Sequence, residues 1–209
     1  MTNLPARPLG RLLASLAATL VASQLAFAQP TVKVDPKEFD VVATRKAAEA
    51  GDARMMGELG AALVLGVGVT KDPAEGVRWL EKAAAKGDAQ GSLMLAMAKL
   101  DGQATPKDEA GAARLTRAVA DKGNAQGCVL LGQLYLKGVG VPQDDKEAFK
   151  WVMRAGAQGH AEGQYLSGLL LAMGKGTKAD VVQGKAWLAK AAAQGHPQAK
   201  EALAKLSKS

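Results

Sequence analysis

"KAAAKGDAQG", residues 82–91, reads as the end of one helix fused to the start of another. Alanine and lysine continue a helix, Gly87 can take the left-handed conformation that closes it, and Asp88 can cap the amides that follow. A near-copy, "KAAAQGHPQA", stands at 190–199. The same glycine recurs as Gly51, Gly87, Gly123, Gly159 and Gly195, a constant interval of 36 residues. Asp72, Asp108, Asp144 and Asp180 keep that interval, as do Trp79, Leu115, Trp151 and Trp187, and Gly66, Gly102, Gly138 and Gly174. Four registers with one period and no insertion define a repeat array. Scarce aromatics and abundant Ala, Leu and Gly suit closely packed helices, so the expected fold class is all-α, a superhelical solenoid of helix-turn-helix units.

Each unit resolves into two helices. The second opens on an aspartate: Asp72-Pro73-Ala74-Glu75, Asp144-Asp145-Lys146-Glu147 and Asp180-Val181-Val182-Gln183 repeat a D-x-x-E/Q capping pattern. Repeat two has Gly111 where the others have Glu or Gln, so its second helix is expected to start less firmly. The residue after each closing glycine is Asp52, Asp88, Asn124, His160 or His196, which places the next N-cap there. The first helix is fullest in "GNAQGCVLLGQLYLKGVGV", residues 123–141. Small residues at Gly60, Ala96, Gly132 and Gly168 should let two helix backbones approach closely. The glycine loops "GVGV" (66–69 and 138–141) and "GKGT" (174–177) lack a following G-K-[ST] and a preceding strand. They are loop geometry rather than a phosphate loop.

The pattern A-x6-G-x2-Y-x2-G-x-G-V-x2-D, then A-x2-W-x3-A, is carried by Ala125, Gly132, Tyr135, Gly138, Gly140, Val141, Asp144, Ala148, Trp151 and Ala155. It resembles the Sel-one-like repeat family, relatives of the tetratricopeptide repeats. The resemblance covers residues 51–194 as four units, 51–86, 87–122, 123–158 and 159–194. Repeat two departs most, with Ala104 and Leu115 in place of a loop glycine and the tryptophan. An array needs polar ends. Residues 35–50 are expected to form a capping helix with Asp35 and Glu38 as its capping pair, and 195–209 a second one opening at Pro197.

Residues 1–28 carry Arg7 and Arg11, no acid, an apolar run from Leu12, and "AFA" ending at Ala28. This is the pattern of a signal peptide cleaved after Ala28, with 29–34 a disordered leader, and it implies a periplasmic or secreted product without stable membrane insertion. Removing Arg7 and Arg11 lowers the formal charge from +7 to +5, spread without aromatic interleaving, which argues against nucleic acid as a partner. Cys128 is the only cysteine, so there is no internal disulfide.

No catalytic constellation, metal cluster or cofactor motif is legible. His160 and His196 occupy cap slots, the repeated aspartates do likewise, and the tryptophans recur where units should pack together. What varies is a stripe on the first helices, at positions 54, 58, 61 and 65 and their equivalents, whose spacing of 4, 3 and 4 puts them on one face. The expected groove comprises Gln90, Met94 and Met97, then Gln126, Leu130 and Gln133, then Glu162, Leu166 and Leu169. Met and Leu suit an adaptable apolar contact, on the premise that the repeated positions already fill the core. Resembling proteins use their concave face as an interaction scaffold. The expected function is therefore a monomeric, non-enzymatic periplasmic adaptor for a protein or peptide, such as an envelope sensor or assembly factor. The alternatives are an immunity protein that neutralises a toxin, and a hydrolase of wall fragments or β-lactams. The relatives suggested for that last chemistry carry paired cysteines in each repeat, which Cys128 alone does not match.

Overall fold

A computed structural model describes residues 40–207. The expected signal peptide, the expected leader and the expected Asp35–Glu38 capping pair lie outside these residues. Ten helices and no strand occur among the described residues: α1 (Val41–Glu49), α2 (Ala53–Leu65), α3 (Pro73–Ala85), α4 (Ala89–Asp101), α5 (Glu109–Asp121), α6 (Ala125–Lys137), α7 (Asp145–Ala157), α8 (Ala161–Met173), α9 (Val181–Ala193) and α10 (Pro197–Ser207). Helices α2, α4, α6, α8 and α10 are of the first type and the others of the second. The fold class is all-α, with consecutive helix packing of the solenoid kind. The described chain divides into two compact bodies, residues 40–127 with 139–141, and residues 128–138 with 142–207.

The join that opened the sequence reading is two motifs sharing one residue. Gly51, Gly87, Gly123, Gly159 and Gly195 have φ between 80 and 102°. At Gly87 the helix closes in a Schellman arrangement: Gly87 N–H donates to the Ala84 carbonyl at 2.9 Å and Asp88 N–H to Ala83 at 3.0 Å. Asp88 then turns its side chain onto the Gly91 amide and begins α4. One residue thus satisfies a carbonyl of the helix behind and an amide of the helix ahead, and each cap contributes about 1 kcal/mol.

The second-type helices start as their aspartates require, with Asp72 accepting from Glu75 N–H at 2.9 Å and Asp180 from Gln183 at 2.9 Å. The start in repeat two is not weaker. Asp108 accepts from Gly111 N–H at 2.7 Å and from Lys99 Nζ at 3.3 Å, and these bonds, the backbone one first, hold its carboxyl below the usual range. At the N-terminus, α1 begins at Val41, where Asp40 caps Val42 and Ala43 at 3.0 Å each.

The small residues act as expected. A Cβ on Gly60 would lie 2.8 Å from the Gly76 carbonyl, and one on Gly76 would lie 2.7 Å from that of Gly60. The same reciprocal contact joins Gly168 and Gly184. Backbones that touch leave no room for a methyl group, and substitution forces the helices apart. One core cluster, with Ala48, Met56, Leu59, Leu63, Trp79 and Ala83, ties α1, α2 and α3 together. A second, with Ala61, Val77, Leu80, Met94, Leu95 and Ala98, ties α2, α3 and α4.

Candidate interaction surface

The N-terminal turns of the first-type helices are set by their caps. Asn124 accepts from Gly127 N–H at 2.8 Å, His160 Nδ1 from Gly163 at 3.4 Å and His196 Nδ1 from Ala199 at 3.2 Å. Both histidines therefore occupy the cap slot that Asp and Asn fill elsewhere. Burial pushes the His160 imidazole below its ordinary pKa, against the pull of Glu162 and with a further push from His196. His196 does more than cap: its Nε2 lies 2.7 Å from Glu162 Oε2, and its ring stacks on Tyr165 with centroids 4.6 Å apart.

These caps fix which stripe residues reach the surface. Gln90, Gln126 and Glu162, one in the first turn of each helix, are half-buried, and so is Met97 in the middle of α4. Met94, Leu130, Gln133, Leu166 and Leu169 are buried, the two leucines of α8 at 1 % and 0 % exposure. Five of the nine expected groove residues thus belong to the core. The reason is volume. Glycine and alanine at the repeated positions bring backbones together but supply little side-chain bulk, so larger residues must fill what remains. Met94 does so in the cluster shared with Ala61, where α2 and α4 lie side by side. Helix α8 is enclosed by contacts with α7, α9 and α10. Within each body the part of the stripe left accessible is polar, with Met97 its apolar member.

Around this face the polar groups have assigned work. Arg54 pairs with Glu58 at 2.9 Å along α2. Gln164, buried, donates to the Gly156 carbonyl at 3.4 Å, and Gln194 Nε2 donates to both Gln164 Oε1 and the Gly159 carbonyl at 2.8 Å. Gln90 Nε2 is occluded and has no acceptor among the described residues.

The sequence reading missed the role of the glutamate three residues after the cap. Glu75 does not turn back to the cap; it accepts from Trp79 Nε1 at 3.1 Å and from Arg45 at 2.6 Å. The Arg45 bond first, then that of Trp79, holds the Glu75 carboxyl below its usual range. Glu147 accepts from Trp151 in the same way at 3.0 Å. The i, i+4 spacing was the available signal: repeat two lacks both partners, with Gly111 and Leu115 in their places. Trp79 and Trp151 are buried, Trp187 half-buried, and Cys128 is fully enclosed. Among the described residues no group of three or more His, Cys, Asp or Glu side chains could hold a metal ion. No helix among them is long and apolar enough to cross a membrane.

A family model described as "Sel1 repeat" matches residues 53–88, 89–124, 125–160 and 161–196. Among solved structures the chain is similar to c5321, a protective antigen of uropathogenic Escherichia coli with an SLR fold, at 31% identity and a TM-score of 0.73 over 78% of this chain and 35% of that one. It thus spans about a third of that protein's length. A Sel1 repeat protein from Oxalobacter formigenes is similar at 26% identity and a TM-score of 0.73, over 91% of this chain and 75% of the other. The immunity protein Pa5087 from Pseudomonas aeruginosa shares the fold at 20% identity and a TM-score of 0.55, over 95% of this chain and 70% of its own. No curated protein matches the chain by sequence.

Proposed function

The chain belongs to the Sel1 repeat family, a family of protein-interaction scaffolds, and from that premise we propose that it is a non-enzymatic periplasmic adaptor that holds a segment of another protein against its first-type helices. The observation that carries this reading is the division of labour among helix positions. Repeated small residues are consumed in packing, while the half-buried Gln90, Met97, Gln126 and Glu162 stay partly accessible; the first-turn position reads Arg54, Gln90, Gln126 and Glu162, so its charge runs from positive through neutral to negative along the repeats. A surface whose charge changes along a regular scaffold of small residues is suited to selecting a partner. In this reading, export through a signal peptide cleaved after Ala28 supplies the compartment.

The experiment is capture from the native host with tagged mature protein, crosslinked in the periplasm. Met97→Glu with Gln126→Lys changes the accessible face and leaves the buried stripe untouched. The expected result is one envelope protein retained by wild type and lost by this folded variant. Identical capture by both proteins would overturn the assignment of the face. Capture of a toxic effector instead would move the reading to an immunity role, which at present has only the likeness of fold to Pa5087 behind it.

A further inference from the structure

The 36-residue register lets one place in the fold be compared at two levels. In repeat four, Gln164 and Gln194 bond to each other at 2.8 Å and bridge the consecutive helices α8 and α9. In repeat one the same two positions hold Met56 and Lys86. A thioether is a poor partner for an ammonium, and no such bond forms. Lys86 Nζ lies instead beside Gly51, 3.7 Å from where a Cβ there would stand; Gly51 is the counterpart of Gly159, whose carbonyl holds Gln194. The place is left open as a cleft of about 520 Å³ between α1, α2 and α3. That volume falls within the range of about 300–1,000 Å³ found for ligand sites.

Ala48, Met56 and Trp79 make the floor of this cleft, and Glu49, Lys82 and Lys86 its rim. Lys82 Nζ stands 4.1 Å from the centre of the Trp79 ring. Neither lysine has a carboxylate partner among the described residues. Two ammonium groups one helical turn apart, above an apolar floor, complement an apolar side chain flanked by carboxylates and repel a basic segment. Methionine in the floor adapts to the shape of what enters.

We propose that this cleft of repeat one is a second docking site, separate from the accessible stripe, and that it takes an acidic peptide segment of a partner protein by one apolar side chain, with Lys82 and Lys86 pairing its carboxylates.

The test is fluorescence anisotropy on the mature chain with two labelled hexapeptides, acetyl-Glu-Asp-Leu-Phe-Asp-Glu-amide and the same peptide with lysine for every acid. The acidic peptide should bind and weaken as salt is raised, while the basic one should not bind. Lys82→Ala with Lys86→Ala should weaken binding about tenfold or more. Met56→Gln with Lys86→Gln copies the repeat-four bridge and should abolish binding with helicity and Tm retained. Met97→Glu should leave it unchanged, which separates this site from the adaptor face. Equal binding of both peptides, full binding to the bridged variant, or no binding up to about 1 mM, a Kd that is weak for any specific site, would overturn the proposal. So would self-association relieved by the bridging pair, which makes a second copy the occupant, or binding that appears only after residues 29–39 are deleted, which makes it the chain's own leader.

Discussion

Repeats one and four share a backbone plan and differ in what fills it. Both place a lysine over the repeated tryptophan, Lys82 at 4.1 Å from Trp79 and Lys190 at 4.4 Å from Trp187. Both bring glycines of paired helices into contact. Yet repeat one has Met56 and Lys86 where repeat four has a hydrogen-bonded glutamine pair, and half-buried Glu58 where repeat four has Leu166 at 1 % exposure. The scaffold positions therefore stay small, Gly or Ala, in every repeat, and the difference between repeats one and four is written in a handful of others. Seven substitutions, taken as three pairs and a single change, can break or sharpen that contrast.

The largest effect is expected on the buried stripe. Leu169→Glu places a charge in a fully enclosed site and should cost about 4 kcal/mol or more, enough to unfold a marginal domain. Met97→Glu, on a half-buried position, should cost about 1 kcal/mol or less. Urea unfolding followed by circular dichroism distinguishes them, and equal costs would mean that the two positions are not differently buried. Next come the helix contacts. Gly60→Ala and Gly168→Ala should each cost about 1–3 kcal/mol, because the added carbon meets a backbone carbonyl in either repeat. A cost confined to one repeat would show that the plan is not shared.

Smaller effects follow at the glutamine bridge and the caps. Gln194→Ala removes two hydrogen bonds and leaves the Gln164 Oε1 without its donor, so it should cost about 1–2 kcal/mol. The equivalent Lys86→Ala should stay within about 0.5 kcal/mol. The smallest is a pH slope. His160 has a depressed pKa in the folded state, so the unfolded chain binds the proton more readily. Stability should fall as pH drops through and below the ordinary imidazole value of about 6.5, and rise again as pH increases through it. His160→Asn, which copies the cap at Asn124, should flatten that part of the profile; repeat one has the non-imidazole Asp52 there. An unchanged profile in thermal melts between pH 5 and 8, the range in which histidines titrate, would remove His160 as a source of the slope.

The elements were legible because their signals are local. Gly87, Asp88 and Pro73 act on atoms within a turn of themselves, and each stands where the sequence placed it. Asp40, which caps α1, was not legible because it carries no flanking pattern like that of Asp72-Pro73-Ala74-Glu75. The stripe was legible only as a stripe. Whether Leu130 or Leu166 faces water depends on the volume that Gly132 and Gly168 leave unfilled beside them, which is a property of packed helix pairs and not of spacing. The Glu75–Trp79 bond lay in plain i, i+4 register and was hidden by a competing reading of the same glutamate as half of a capping box.

The shared residue of the join has a consequence for how such a chain can grow. Because Asp88 closes one helix and opens the next, no spare residue separates them. One amino acid inserted into the helix before it would rotate everything downstream by about 100° relative to what came before. The glycine loops after the first helices are fixed as well: a Cβ on Gly140 or Gly176 would collide with the backbone of the preceding second-type helix at Glu109 or Asp145. At the joins the smallest increment that restores every contact is a whole unit of 36 residues.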